Sequence, residues 1–494
     1  MLEKMKAAAN RTQTENGAAA YASTGSACLD LFATIGALRR ESDPEIVTRF
    51  LRAYTEDPDL AMKMLFFARD VRGGLGERRV FRVILRWLAL HEPGTAEKNL
   101  PFVAAYGRYD DLLCLLDTPC RGAVLALVQD QLDRDLSALE KGEPVSLLAK
   151  WLPSVNASNR HTCRRAKQLA RGLGLSDAAY RKTLSALRAH LQLMENYLRR
   201  RDYTFDYAKQ PSRALWKYKA AFVRNDGARY RAFLSAVAAG RTVLHADQVA
   251  PYELVEPYLS EDWSDACFMR RLTRKEKQSL NATWAALPDF GSSENALAVV
   301  DTSGSMYFED RPMPAAVALS LGLYFARHNT GVFHNHLIEF SQQPHFIELR
   351  GKTFADQLRY VASFCEIANT NLEAVFDLIL DTAVENQVPR DQMPAKLIIL
   401  SDMEFDQCVE GASAVLFETA RQKFAAHGYA LPRVVFWNLA SRRRQQPVTQ
   451  NAQGVALVSG VTPQLFSMVA GDLPSPYAVM MDILGSDRYA PIAA

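Results

Sequence analysis

An α-helical solenoid of HEAT-like repeats followed by a doubly wound α/β domain is the fold that three observations in this 494-residue sequence predict. From about residue 25 to residue 285, apolar residues recur at spacings of three and four, and β-type alternation is nearly absent. After residues 286–294 (Ala-Leu-Pro-Asp-Phe-Gly-Ser-Ser-Glu) the pattern changes to apolar strand-like runs alternating with helical ones, which predicts a largely parallel sheet. The chain is also too long for a single hydrophobic core, so two or more domains are expected.

In order along the chain, residues 1–24 are rich in Ala, Asn and Thr and read as a mobile or extended arm. The solenoid, residues 25–285, opens with helical patterns over Leu29 to Leu38, Ile46 to Tyr54, Ala61 to Ala68, Val80 to Leu90, Leu112 to Leu116 and Ala123 to Leu139. Short helices in antiparallel pairs make a solenoid, and the lack of a fixed period makes its repeats irregular. The α/β domain, residues 292–470, starts with a strand over Ala296 to Val300 and a helix over Pro314 to Arg327. Strands near Val332 to Phe340 and Phe346 to Leu349 follow, then helices Phe354 to Phe364 and Leu372 to Asn386. Strand Leu397 to Leu400, helix Ala414 to His427, strands Val434 to Leu439 and Val455 to Val458, and a last helix near Pro463 to Val469 complete it. The tail, residues 471–494, is expected to pack on the solenoid or on the α/β domain.

Composition bounds the function. The chain is 48% hydrophobic and 23% charged, ordinary for a soluble globular protein. The most apolar stretch, Pro312 to Ala326, is too short for a membrane span, and no apolar core follows the charges of Met1 to Lys6 as a signal peptide requires. The seven cysteines (28, 114, 120, 163, 267, 365, 408) are scattered and lack C-x-x-C spacing, so we expect reduced thiols, no zinc site and a cytoplasmic location. Charge is split between the halves: residues 291–494 hold 14 Lys+Arg against 21 Asp+Glu, which leaves 44 against 34 of the chain's 58 and 55 for residues 1–290. A basic half points to a polyanionic partner, although surplus Lys and Arg also keep a surface solvated.

The sharpest motif is Ala296-Leu-Ala-Val-Val-Asp-Thr-Ser-Gly-Ser-Met306. Its apolar run suits a strand covered on both faces, so Asp301, Ser303 and Ser305 fall in the loop at the strand's carboxyl end, where open α/β sheets bind ligands. A carboxylate and two hydroxyls at i, i+2 and i+4 are hard oxygen donors suited to Mg²⁺ or another small dication, yet Asp and Ser also crowd ordinary turns. Two further stretches add weight. Asn369-Thr370-Asn371 precedes a helical run, and Lys396-Leu-Ile-Ile-Leu-Ser-Asp402 is a second buried-strand pattern ending in Ser401 and Asp402. In this order the three elements resemble the metal-ion-dependent adhesion site of von Willebrand factor A domains. The resemblance implies that Asp301, Ser303, Ser305, Thr370 and Asp402 surround Mg²⁺ and leave one position for an acidic ligand. Glu404 and Asp406 are expected to shape the rim rather than to ligate, and Arg442-Arg-Arg444 to form a solvated loop. His328, His334, His336 and His345 read as packing or edge residues.

Four blocks mark the basic half: Phe66-Phe-Ala-Arg-Asp-Val-Arg-Gly-Gly-Leu-Gly-Glu-Arg78, Tyr106-Gly-Arg-Tyr-Asp-Asp-Leu-Leu113, Lys150-Trp-Leu-Pro153 and Gln210-Pro-Ser-Arg-Ala214. Alone, Gly73 and Gly76 read as a helix cap and turn rather than a phosphate cradle, since Asp70 and Glu77 would repel an anion. Followed by an A domain, the blocks resemble the Ro autoantigen family, and most of all an uncharacterised bacterial and plant branch of that layout. In that family the helical TROVE module is a solenoid bent into a ring. The resemblance implies binding of small non-coding Y-like RNA and of single-stranded 3′ ends of misfolded RNA, with an exoribonuclease or RNA-repair enzyme as a further partner. It also implies basic side chains lining the cavity from two helices.

The residues speak to this separately. Ala166, Leu169, Ala170 and Leu173 form a core stripe, while Arg164, Lys167 and Arg171 share another face. Ser176 is a plausible N-cap for the next helix, which carries Arg181, Lys182 and Arg188. From Asn196 to Phe233 ten basic residues, among them Arg199, Arg200, Arg201, Lys209, Arg213, Lys217 and Lys219, meet three Asp. Nine aromatics are interleaved: Tyr197, Tyr203, Phe205, Tyr207, Trp216, Tyr218, Phe222, Tyr230 and Phe233. Basic residues gripping phosphate beside rings that stack on bases would suit single strands. Helical spacing favours the core for the rings, and the local surplus favours RNA for the charges.

Three functions are compatible with these patterns: an RNA-binding scaffold in RNA quality control or repair, acting as a monomer; a Mg²⁺-dependent adaptor that captures an acidic residue of a protein partner; and an enzyme. With no general base or nucleophile pair beside the metal motif, no catalysis is expected.

Overall fold

The structure, a computed structural model, describes residues 1–259, 270–291, 293–307, 312–340, 342–366, 370–406 and 416–494. Cys267, Cys408, Asn369 and the expected start of a helix at Ala414 lie outside these residues. The chain builds a helical-repeat region and then a doubly wound α/β sheet. By packing it forms two compact units. One comprises Met1–Ser42, Leu51–Asp57 and Tyr207–Ser486; the other comprises Asp43–Phe50, Pro58–Asp206 and Asp487–Ala494.

The second of these is all helical. Pro58–Arg69, Arg79–His91, Pro93–Tyr106 and Arg121–Glu140 pack in sequence, and Arg160–Gly172, Asp177–His190 and Met194–Arg200 follow. Two of the blocks singled out in the sequence meet here in a buried ion-pair network. Arg69 is 1% exposed and its Nε donates to Asp111 Oδ2 at 2.7 Å; Arg82 Nε donates to Asp111 Oδ1 at 2.7 Å and its Nη2 reaches Asp110 at 2.8 Å. A side chain at Gly107 would strike both members of the Arg69–Asp111 pair, which explains the Gly in Tyr-Gly-Arg-Tyr-Asp-Asp. Asp70 takes Arg488 Nη2 at 2.7 Å, Tyr489 packs against Phe67 and Tyr106, and Asp59 Oδ1 accepts from Ala494 N at 2.8 Å, so the last eight residues belong to this unit. Breaking a buried ion pair by removing one partner leaves an uncompensated charge, a loss of about 3–5 kcal/mol.

The first unit holds the six-stranded sheet: β3 (Ala296–Asp301), β4 (His336–Phe340), β5 (Pro344–Glu348), β6 (Lys396–Ser401), β7 (Arg433–Asn438) and β8 (Val455–Ser459), after a short hairpin of β1 (Arg11–Gln13) and β2 (Ala19–Tyr21). Its order is β5-β4-β3-β6-β7-β8, parallel throughout except for β5. β3 and β6 are buried at every position, as their unbroken apolar runs require. β3 is followed in the chain by β4 on one side, and β6 by β7 on the other, so the order reverses between β3 and β6. That reversal opens a crevice at their carboxyl ends.

Helix Pro314–His328 is buried on all sides from Pro314 to Ala326, because it packs on β3, β4 and β6 and is covered by Pro251–Val255 and Phe354–Ala362. Its uniform apolarity is thus a burial signature. At Gly322 a Cβ would fall 2.3 Å from Val300 Cγ2, so only glycine lets this helix approach β3 so closely. Three details differ from the sequence expectation. Residues 1–24, expected as a mobile or extended arm, form helix Leu2–Ala9 and the β1–β2 hairpin, whose Ala20 and Tyr21 are buried. β4 begins at His336, four residues later than expected, because Gly331 to Asn335 turn, with Asn335 at φ 60°. The tail carries an unanticipated helix, Pro476–Leu484, started by Ser475, whose side chain accepts from Ala478 N at 3.2 Å. No helix among the described residues is long and apolar enough to cross a membrane.

Candidate metal centre

Asp301 is the last residue of β3, Ser401 the last of β6, and these strands are hydrogen-bonded neighbours. Pairing therefore delivers both loops to one point. Asp301 is fully buried. Its Oδ1 accepts from Ser303 N at 2.9 Å and its Oδ2 from Ser401 Oγ at 2.5 Å. Ser303 Oγ lies 3.3 Å from Ser305 Oγ, in the single helical turn Gly304–Tyr307. Burial, and then the neighbouring Asp402 charge, push the Asp301 carboxyl up to about 7. Two carboxylates held together out of water lack a compensating cation on the Asp301 side among the described residues.

Asp402 is 2% exposed; its Oδ1 accepts from Glu404 N at 3.2 Å. Met403, between them, sits at φ 66°, an unfavourable angle for a side chain with a Cβ that the surrounding contacts must hold in place. Thr370, 2% exposed, is tied to the same loop: its N–H donates to Asp406 Oδ2, and its carbonyl accepts from Asp406 N at 3.1 Å. Asp406 thus positions Thr370, and Glu404 holds other segments of the chain. The structure therefore joins Asp301 to Ser303 and Ser401, and Ser303 to Ser305, directly; Asp402 follows Ser401 in the chain, and Thr370 is tied to Asp406, four residues past Asp402.

All the candidate donors are oxygens, two carboxylates and three hydroxyls. Such a set fits a small hard dication and not a thiolate- or imidazole-bound metal. Among the described residues, no group of three or more His, Cys, Asp or Glu side chains is arranged to hold a metal, so any ion at this point depends on the hydroxyls. His345 is engaged elsewhere, with Nδ1 2.9 Å from Glu339 Oε2; buried Glu339 also takes the Thr302 hydroxyl and so braces the loop from β4.

One expectation fails here. Arg442-Arg-Arg444 is not simply a solvated loop: Arg442 Nη2 donates to Asp402 Oδ2 at 2.5 Å. Its place depends on the pairing of β7 with β6, which carries the loop after β7 past Asp402 and which the sequence does not state.

The basic residues have a different character. In the helical unit, Arg160–Gly172 buries Ala166, Leu169 and Ala170 and exposes Arg164, Lys167 and Arg171. Asp177–His190 is capped by Ser176, as expected, and exposes Arg181 and Lys182. Arg199, Arg200 and Arg201 are also exposed. Arg188 is not available to a ligand: it donates to Ala149 O, Ser154 Oγ and Leu152 O at 2.8, 2.7 and 2.7 Å, and so fastens the Lys-Trp-Leu-Pro turn.

In the other unit Lys209, Arg213 and Lys217 are exposed, and Arg213 pairs with Glu253. Lys219 corrects the expectation. Its Nζ lies 2.9 Å from the centroid of Trp216, and burial pushes its ammonium down to about 7. Most of the rings are core: Tyr207, Phe222, Tyr230 and Phe233 form one cluster, and Phe205 and Trp216 are buried as well. Cys28, Cys114, Cys120, Cys163 and Cys365 are free thiols.

Comparison with known proteins places the chain. Residues 14–123 and 121–289 match the family model "Domain of unknown function (DUF2828)", and residues 295–473 match "Domain of unknown function (DUF7788)". "Uncharacterized protein L728" of Acanthamoeba polyphaga mimivirus is 30% identical over 518 residues, 96% of this chain and 87% of that protein. Among solved structures, the Ro (RSR) protein of Deinococcus radiodurans covers 94% of this chain and 100% of its own, at 15% identity and a TM-score of 0.45. With the first model matching more than half of the sequence, and a relative similar over nearly all of it, this chain belongs to the DUF2828 family.

Proposed function

We propose that this protein is a non-catalytic, cytoplasmic RNA-binding scaffold that takes small structured RNAs with single-stranded 3′ ends, in RNA quality control or repair. The observation that carries the reading is the pair of helices Arg160–Gly172 and Asp177–His190. Their apolar side chains are buried, while Arg164, Lys167, Arg171, Arg181 and Lys182 stand in solvent. Five cations on two consecutive helices, with one Asp–Lys pair between them (Lys167 to Asp177, 3.5 Å), suit a phosphate backbone. Buried rings leave base stacking a minor part of recognition, so affinity is dominated by charge and falls with salt. The motif resemblance to Ro proteins points the same way. The test is filter binding of the full chain to a hairpin RNA with and without a 3′ single-stranded tail, across a salt series. Binding that needs the tail and weakens steeply with salt supports the scaffold; no binding of either RNA at low salt rejects it.

A second reading is favoured by the metal centre: an adaptor that holds the carboxylate of a protein partner. Asp301, Ser303, Ser305, Thr370 and Asp402 would hold Mg²⁺, which supplies a Lewis-acidic anchor for that carboxylate. Ser401 and Asp406 orient the donors, and Glu339 steadies the loop through Thr302. Mg²⁺-dependent capture of a protein, insensitive to salt and without nucleic acid, distinguishes this role from the first.

A further inference from the structure

Arg442 stands where a cation is required. Asp402 is a buried carboxylate, its side chain 1% exposed, and the Arg442 guanidinium neutralises its Oδ2 at 2.5 Å. Arg442 Nη1 also lies 3.4 Å from Glu15 Oε2, so the guanidinium bridges the metal loop to the amino-terminal segment.

That segment is fastened at three points to the residues just past Asp402. Glu15 N donates to Glu404 Oε2 at 2.7 Å, Asn16 Nδ2 to Glu404 O at 2.7 Å, and Thr14 Oγ1 to Phe405 O at 2.5 Å. Gln445, from the loop of Arg442, holds the other Glu404 oxygen at 2.8 Å. Residues 14–16, 402–406 and 442–445 are therefore one connected patch, with Arg442 as its central positive charge. Further along, Tyr21 N donates to Gln446 O at 2.9 Å and extends the strap over the same loop.

We propose that Arg442 is a tethered counter-cation of the metal centre: it satisfies Asp402 when no divalent ion is bound, and its departure from Asp402 loosens the amino-terminal strap. This rests on reading Asp301, Ser303, Ser305, Thr370 and Asp402 as ligands. An arginine cannot lose its proton to make way for another cation, so it has to move. Once it moves, the Glu15 carboxylate loses the guanidinium that ties it to the Asp402 loop. Metal affinity and strap docking then oppose each other. By reciprocity, the factor by which bound metal weakens strap docking is the factor by which the docked strap weakens metal binding.

The probe is Mn²⁺, titrated into the full chain and followed by the electron paramagnetic resonance of the free ion, with amide hydrogen exchange measured in parallel. The wild type is compared with Arg442→Gln and with Asp301→Ala. We expect Arg442→Gln to bind Mn²⁺ about tenfold more tightly than the wild type, and Asp301→Ala not to bind it. In the wild type, saturating Mn²⁺ should speed exchange at Glu15, Ala18 and Tyr21, a readout that needs no variant to fold. A Thr14→Val/Asn16→Ala double variant should tighten Mn²⁺ binding by a smaller factor. Equal affinity in the wild type and Arg442→Gln, with exchange in the strap unchanged by Mn²⁺, overturns the counter-cation and leaves the metal centre standing. Failure of Mn²⁺ to bind any of the proteins overturns both.

Discussion

The metal loops and the basic helices put opposite demands on a sequence. At the carboxyl ends of β3 and β6, Asp301 and Ser401 must meet to within 2.5 Å although 100 residues separate them, and strand pairing alone achieves this. On Arg160–Gly172 and Asp177–His190, cations act through summed charge and need only stay in solvent. The first arrangement is intolerant of any single change; the second degrades in proportion to the charge removed. Burial and bond partners define the surroundings of Asp301 atom by atom, whereas the helices are distinguished by which side chains are left outside.

The largest effect expected is at the intolerant site. Asp301→Ala should weaken Mn²⁺ binding at least about 100-fold, beyond the 10–100-fold typical of residues that merely orient ligands. A tenfold loss or less would put Asp301 among the orienting residues. On the helices, Arg164→Glu/Lys167→Glu/Arg171→Glu should flatten the slope of log affinity against log salt by about two units, at about 0.7 per single-strand phosphate contact. An unchanged slope would place the RNA elsewhere.

Two residues sharpen the comparison because they look basic in sequence and act as structure. Arg188→Ala should lower the stability of the helical unit by about 2–3 kcal/mol, since it strands acceptors around Ala149 and Leu152. RNA affinity below the melting point should hardly move. Lys219→Met is the smallest effect. With the folded ammonium pushed down to about 7, the unfolded chain binds the extra proton between pH 7 and 10, so the native state is penalised most at low pH and recovers as pH rises. The variant should therefore melt above the wild type at pH 6.5, by a margin that shrinks towards pH 9.5. A margin that grows instead would mean that the contact with Trp216 outweighs the burial of charge.

What could be read from sequence follows from the same contrast. β3, β6, β7 and β8 were legible to within a residue or so, because strands buried on both faces leave unbroken apolar runs. Asp301, Ser303, Ser305 and Asp402 were legible because they lie at i, i+2 and i+4 after one such run and at the end of another. Arg442 and Glu15 were not, since their part depends on which strand neighbours β6 and on where the amino-terminal segment crosses the sheet. Arg188 was illegible for a third reason: helical periodicity predicts where a Cβ points, but a long side chain can turn back to carbonyls such as that of Leu152. The aromatics between Asn196 and Phe233 showed a composition that base stacking and core packing share, and burial separates the two.

RNA is expected to be held by the exposed cations of the helices and not by the loops of Asp301 and Asp402. The measurement that separates the two is the affinity of the full chain for a 3′-tailed hairpin RNA at one low and one physiological salt concentration. The wild type, the Arg164/Lys167/Arg171 charge reversal and Asp301→Ala are compared side by side. A loss of about 10–100-fold is expected for the charge reversal at physiological salt, with wild-type affinity for Asp301→Ala. Wild-type affinity in the charge reversal, or a comparable loss in Asp301→Ala, would contradict it.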